Sequence, residues 1–300
     1  LATTLFTDDD AHIHGVKIIR PDGQIEHIEC EALILACNGY GGNKELIGQH
    51  IPDMMDAVYF GHVGNQGEAI LWGEALGAAI ADLGAFQGHG SVASPEGILI
   101  TWALMTEGGI LVNNLGTRFS NENEGYSEHG RRVMAQPNGV AWCVFDHRLH
   151  KLGMTFPDYR EADTLGAVKQ ASSLADLANL CKLPQDALHQ TLVSMSDFRA
   201  GQASDPHGRD FTTRPELEPP FYAIRVTGAS FHTQGGLIVD ARARVRSERG
   251  GLFDNLFAGG GAARGLSGPS DWGYLSGNGL LTAVTLGRIA GREAAAMLSP

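Results

Sequence analysis

Apolar and polar positions alternate at the start of the chain. Gly15-Val16-Lys17-Ile18-Ile19-Arg20 reads as a strand, Pro21-Asp22-Gly23-Gln24 as a turn, and Ile25 to Cys30 as the returning strand of a hairpin. Alternation then stops. Ala32-Leu33-Ile34-Leu35-Ala36-Cys37 is continuously apolar, the pattern of a parallel strand covered on both faces. The chain turns sharply over Asn38 to Asn43, and Lys44 to His50 reads as a short helix. Gly67 to Leu83 reads as helical, with Ala69, Ile70, Leu76 and Ala79 on one stripe.

From about Gly88 the character changes. Short strands are expected at Leu99-Ile100, Ile110 to Val112 and Val140 to Phe145, with Asp146 just after the last. Lys151 to Asp163 carries no sustained helical stripe. One small helix opens around Ser173 to Asp176, and a second over Gln185 to Asp197 sets Leu188, Leu192 and Met195 on one face. Ala200 to Pro220 is a polar loop, and Phe221 to Val226 begins a return. Strands follow at Gly236 to Asp240 and Leu256 to Ala258, then a long helix over Leu280 to Met297. The pattern implies an α/β chain in three stretches: 1–87, a second domain at 88–228, and a return at 229–300.

Composition narrows the function. The chain has 300 residues, 43% of them hydrophobic, and a formal net charge of −12. That size buries a full core, and the acidic balance argues against nucleic acid as a partner. The four cysteines lack paired ligand spacing, so no metal site is expected. No apolar run reaches membrane-spanning length and no export signal is visible, so a cytoplasmic location is the expectation.

The chemistry concentrates in glycine turns. Ala258-Gly259-Gly260-Gly261 ends a strand, and Gly277-Asn278-Gly279-Leu280 opens a helix. Amides at a helix N-terminus favour partial negative charge, whether a phosphate or the polar edge of a ring. Tight helix–strand packing is the competing explanation. Gly64 and Gly67, at the start of the earlier helix, allow the same close approach. Before Ala36 there is no Gly-rich turn of the kind that opens a dinucleotide-binding unit.

Several segments together resemble the fumarate reductase and succinate dehydrogenase type flavoproteins. They are Leu35 to Glu45, Gly116-Thr117-Arg118-Phe119-Ser120-Asn121-Glu122, His232-Thr233-Gln234-Gly235-Gly236, Leu256 to Gly259, Gly277 to Leu280, and Gly287 to Gly291. The resemblance runs in order over nearly the whole chain. It implies a partial Rossmann-like FAD-binding domain with an inserted α+β capping domain, and FAD as cofactor. It places Ala36, Asn38, Gly39, Gly42, Asn43, Gly64, Gly67, Gly259, Gly260, Gly277, Asn278, Gly279 and Leu280 at the cofactor. The family's phosphate turn would precede residue 1. The chain alone is therefore expected to hold FAD weakly, and a separate N-terminal segment to be a partner. Gly260 stands where many relatives have Glu.

The resemblance also implies catalytic positions. His89 and His232 match the two histidines that hold substrate carboxylates, and each would bind an anion better if protonated. His62 is a weaker candidate. The family's arginines do not carry over: Tyr126 and Tyr274 stand in two of their places, and Trp102 and Met105 align with the proton path. A clamp without guanidinium loses its bidentate partner. Two tyrosines there resemble the ketosteroid dehydrogenases, which implies α,β-dehydrogenation, or its reverse, of a small carbonyl or carboxylate compound. Tyr126 is then the candidate base or relay and Tyr274 the candidate carbonyl donor. The electron donor or acceptor is unidentified. Dicarboxylate or enoate reduction through His89 and His232 is the second enzyme reading, and a non-catalytic flavoprotein fragment the third. Arg264 is a candidate for restoring a positive charge, and Arg118 is expected to hold Glu122 or nearby backbone.

Overall fold

The computed structural model describes residues 1–298. The chain divides into two compact units: 1–52 with 60–87 and 231–300, and 53–59 with 88–230. Both mix helices and strands, so the fold is α/β.

In the first unit, Ala2–Thr7, Ile13–Ile19 and Ile25–Glu29 form an antiparallel three-stranded sheet. The first of these strands is an addition to the hairpin expected from the alternation. Leu33–Leu35 pairs in parallel with Leu252–Ala258, which pairs antiparallel with Arg244–Arg246. Leu35, Leu237, Val245, Leu256 and Ala258 form the core with Ile13 and Ala69. Asn255, fully buried, ties the two sheets together. Its Oδ1 accepts from the Ile13 amide at 3.0 Å, and its Nδ2 donates to the carbonyls of Ile13 at 2.7 Å and Glu31 at 2.9 Å. Such a buried amide costs little once satisfied, and a great deal if one partner is lost.

The expected Gly67 to Leu83 helix is shorter. It covers Glu68–Leu76 and stops at Gly77, whose φ of 72° is left-handed and whose N–H closes the last turn on Gly73 and Glu74. Ile80–Ala81 then pairs with Gly236–Leu237 as strand. The helix Asn278–Met297 begins two residues earlier than its apolar stripe suggests, with Gly277 as N-cap.

The second unit is built on a sheet whose central strand, Phe221–Thr233, belongs to it up to Ser230; residues 88–93 of the Phe86–Ala93 strand and Val140–Asp146 flank it. Period-two geometry explains its two cores. Ala141, Cys143 and Phe145 face one side with Tyr222, Ile224 and Val226. Trp142 and Val144 face the other with Phe221 and Ala223. Two helices stand where no stripe was evident: His147–Gly153, capped by Asp146 Oδ1 accepting from the Leu149 amide, and Pro157–Thr164. Both are short, and each buries only two residues.

One buried ion network ties the polar loop to this unit. Glu122, fully buried, accepts from Arg118 and Arg209 at 2.7 and 2.9 Å, and Arg118 also pairs with Asp205 at 2.7 Å. Arg209 donates onward to the carbonyls of Gly109 and Met105. Arg118 therefore acts as expected, holding Glu122 and the Ser120 carbonyl.

Candidate functional site

Within the first unit, a cavity of about 550 Å³ opens where the Leu33–Leu35 strand, the end of the Leu252–Ala258 strand and the start of the Asn278–Met297 helix meet. Ala36, Asn38, Gly259, Gly260, Gly277, Gly279, Leu280, His232 and Tyr274 line it. Asn278 does not. Its side chain turns away to donate to Ser267 Oγ at 2.9 Å. Gly39, Gly42, Asn43, Gly64 and Gly67 also lie outside the lining. Asn43 has a structural use: its Oδ1 caps the Lys44–His50 helix by accepting from the amides of Glu45 and Leu46, and its Nδ2 donates to the Gln66 carbonyl at 2.9 Å. Gly39 is fixed by packing, since a Cβ there would stand 2.1 Å from Thr233 Oγ1.

The lining suits a flat, polar-edged ring. None of its residues is Asp, Glu, Lys or Arg. The helix N-terminus has no side-chain cap and no acidic residue in its first turn, so its partial positive charge is not cancelled locally. A Cβ added at Gly277 or Gly287 would meet nothing of the chain within 4 Å, so both glycines leave open space beside the cavity. The residues present therefore fit FAD. Arg264 adds no charge to the lining, because its Nε lies 2.5 Å from Asp82 Oδ2.

His232 and Tyr274 come together, their rings 6.3 Å apart and edge-on. Burial pushes the His232 pKa below the ordinary imidazole value, against the opposing effect of a hydrogen bond to the Thr233 carbonyl. Ile34, Gln87, Gln234, Thr282, Ala283 and Gly287 also line the cavity and were not singled out as site residues. Gln234 had a sequence signal, the variable place in its His-Thr-x-Gly-Gly segment.

His89 and Tyr126 belong to the second unit and form their own cluster. Their rings stack at 5.0 Å, with Trp102 edge-on to His89 at 5.8 Å. His89 is 6% exposed, and its Nδ1 accepts from the Ser91 amide at 3.1 Å. Burial, with His129 nearby, pushes its pKa down to about 3. The expectation of protonated histidine clamps thus meets a physical obstacle at both positions: burial favours neutral imidazole. Trp102 and Met105 are buried core residues, and Trp102 Nε1 has no hydrogen-bond partner. No group of three or more His, Cys, Asp or Glu among the described residues is arranged to hold a metal. No described helix is long and apolar enough to cross a membrane.

Known proteins match this chain in sequence and fold. A probable fumarate reductase of Shewanella frigidimarina is 28% identical over 291 residues, covering 97% of this chain and 48% of that protein. A 3-oxosteroid 1-dehydrogenase of Mycobacterium tuberculosis is 29% identical over 304 residues, covering 86% of this chain and 53% of that protein. The open conformation of a flavocytochrome c3 fumarate reductase superposes with a TM-score of 0.78 at 27% identity, over 98% of this chain and 51% of that one. The chain spans about half the length of the curated relatives it matches. The FAD binding domain family matches residues 1–280, the stretch that holds nearly all of the cavity lining. The chain belongs to that family of FAD-binding flavoproteins, which the fumarate reductases and oxosteroid dehydrogenases share.

Proposed function

We propose that this chain carries the flavin site of an FAD-dependent oxidoreductase that reduces a C=C bond conjugated to a carbonyl or carboxylate group. The first unit is the FAD-binding part and the second the capping part. The observation that carries the reading is the uncharged, glycine-lined cavity at the Asn278–Met297 helix N-terminus, with His232 and Tyr274 in its wall. The fumarate reductase relatives support the reducing direction. FAD, when bound, supplies hydride chemistry. The chain's own residues bind and orient. The glycines would admit the ring, the helix amides would favour its polar edge, and the Tyr274 hydroxyl would hold the substrate oxygen. Tyr126, stacked on His89 in the second unit, is the residue to which we assign holding or moving a proton.

The two tyrosines favour a second reading, oxidation of a saturated ketone to an enone, as the oxosteroid dehydrogenase relative suggests. The two separate in one experiment on the complete FAD-loaded protein. Anaerobically reduced protein is mixed in a stopped-flow with enoates and enones, and oxidised protein with the saturated counterparts. Reoxidation by an enoate is expected. Reduction by a saturated ketone, with no reoxidation by any enoate, would transfer the assignment to the second reading. Tyr274→Phe is expected to slow the productive half-reaction about 100-fold while FAD stays bound.

A further inference from the structure

His232 is held by contacts made wholly within the first unit. Its Nδ1 lies 3.2 Å from the Thr233 carbonyl oxygen. A carbonyl only accepts, so Nδ1 carries the proton. Its Nε2 lies 3.2 Å from Nε2 of Gln234. An amide nitrogen only donates, so Nε2 of the neutral ring is the acceptor. The same amide nitrogen is 3.5 Å from Nδ1, but the Nδ1 proton is directed at Thr233, which leaves Nε2 as the productive contact. Reversing both groups would set the Nδ1 lone pair against a carbonyl oxygen.

Gln234 is well placed to enforce this. It is 4% exposed. Its backbone N–H donates to the Ala85 carbonyl at 2.8 Å, and its own carbonyl accepts from the Gly265 amide at 2.7 Å. Its side-chain oxygen stands so near Gly265 that a Cβ there would approach to 2.5 Å. The amide is therefore confined. On the other side, a Cβ on Gly279 would stand 2.7 Å from His232 Cε1 and Nε2, so the ring packs on the first turn of the Asn278–Met297 helix. The positive end of that helix disfavours a second proton on Nε2. Burial acts in the same direction.

We propose that Gln234 is a positioning residue that locks His232 in its neutral Nδ1–H form, with Nε2 as a hydrogen-bond acceptor. The ring then meets the cavity as a neutral imidazole with both nitrogens engaged and no N–H to offer a carboxylate. For turnover this consequence rests on the function proposed above, whereas the tautomer itself does not.

The test is NMR of the complete FAD-loaded protein labelled with 15N-histidine, with His232→Asn assigning the signal among the 12 histidines. At neutral pH the wild type is expected to show a protonated Nδ1 and an unprotonated Nε2. Gln234→Glu replaces the donor by an acceptor while the Thr233 carbonyl still faces Nδ1, so it should protonate Nε2 as well and give an imidazolium. Gln234→Met removes the donor without adding an acceptor, and should shift the Nε2 signal to that of a free ring nitrogen. A wild-type ring protonated on Nε2 would overturn the proposal. So would either variant, folded by circular dichroism, with an unchanged His232 spectrum. If the tautomer is as expected but no enoate is reduced, the positioning role stands and the proposed reaction fails.

Discussion

Gly287 offers a substitution whose effects on the protein and on its ligand have opposite signs. It lies inside the 20-residue Asn278–Met297 helix, exposed, in ordinary helical conformation, and a Cβ there meets nothing within 4 Å. Glycine at an exposed interior helical position costs about 0.8–1 kcal/mol relative to alanine. Gly287→Ala should therefore stabilise the FAD-free protein by about that amount, with no clash to offset it. Gly287 also lines the cavity. If the flavin presses on its Cα, the added methyl group displaces the ligand, and FAD affinity should fall at least tenfold, about 1.4 kcal/mol. Gly291, one turn on, is the control: it is equally exposed and has equally open space, but is not part of the lining. Gly291→Ala should match the stabilisation and leave FAD affinity alone. Urea unfolding without FAD gives the first quantity, and fluorescence titration with FAD the second. Equal, wild-type FAD affinity in both variants would show that the flavin does not lie against this helix, and would remove Gly287 from the site.

Glu122→Gln leaves two buried arginines facing one carboxylate and should cost about 3–5 kcal/mol in urea unfolding. A loss below about 1 kcal/mol would refute the assigned role. Burial works to raise the Glu122 pKa, but the hydrogen bond from Arg118 and the charges of Arg118 and Arg209 prevail and hold it below the ordinary value. Its stabilisation is therefore complete above about pH 4.3 and is lost as pH falls through the lower folded-state value. The variant should show a flatter acid limb. Asn43→Ala should cost about 1 kcal/mol through the lost cap and leave FAD affinity unchanged. Lower affinity at unchanged stability would return Asn43 to the cofactor site.

What the sequence made legible follows from how local each signal is. Val140 to Phe145 reads as strand because every residue is apolar, and both faces of that strand are buried. The long C-terminal helix was visible from its apolar face and its glycine entry. The helices His147–Gly153 and Pro157–Thr164 were not. Two buried residues in seven or eight make no stripe, and exposed Met154 and Phe156 blur the pattern between them. The end of the Glu68–Leu76 helix was missed because apolar residues continue past Gly77, and only its left-handed backbone breaks the run. In the cavity wall, Ala36, Asn38, His232, Gly259, Gly260, Gly277 and Gly279 carry motif signals in the sequence. Gln234 was not singled out, because what gives it a role is the company of Ala85 and Gly265, distant in sequence. Asn43 shows the converse: its place in a motif suggested a ligand, while its neighbours show a helix cap.

The distribution of charge bears on which substrate the site could take. In the second unit, Arg118 and Arg209 are balanced by Glu122 and Asp205 and are 5% and 2% exposed at the side chain, so neither is available to grip an anion without breaking a buried pair. In the first unit, Arg264 is bound to Asp82. The cavity wall carries dipoles instead: a helix N-terminus, amides at Asn38, Gln87 and Gln234, a tyrosine hydroxyl and an imidazole that burial keeps neutral. Dipoles of this kind stabilise charge that develops during a reaction, because they need no reorganisation when it appears. They are poor at holding two full charges already present in the ground state, which is what a dicarboxylate brings. A substrate with one carbonyl or one carboxylate beside its double bond asks less of such a wall. Under the proposed function, a simple enoate or enone therefore suits this wall better than a dicarboxylate does, even though a fumarate reductase shares the fold over 98% of this chain.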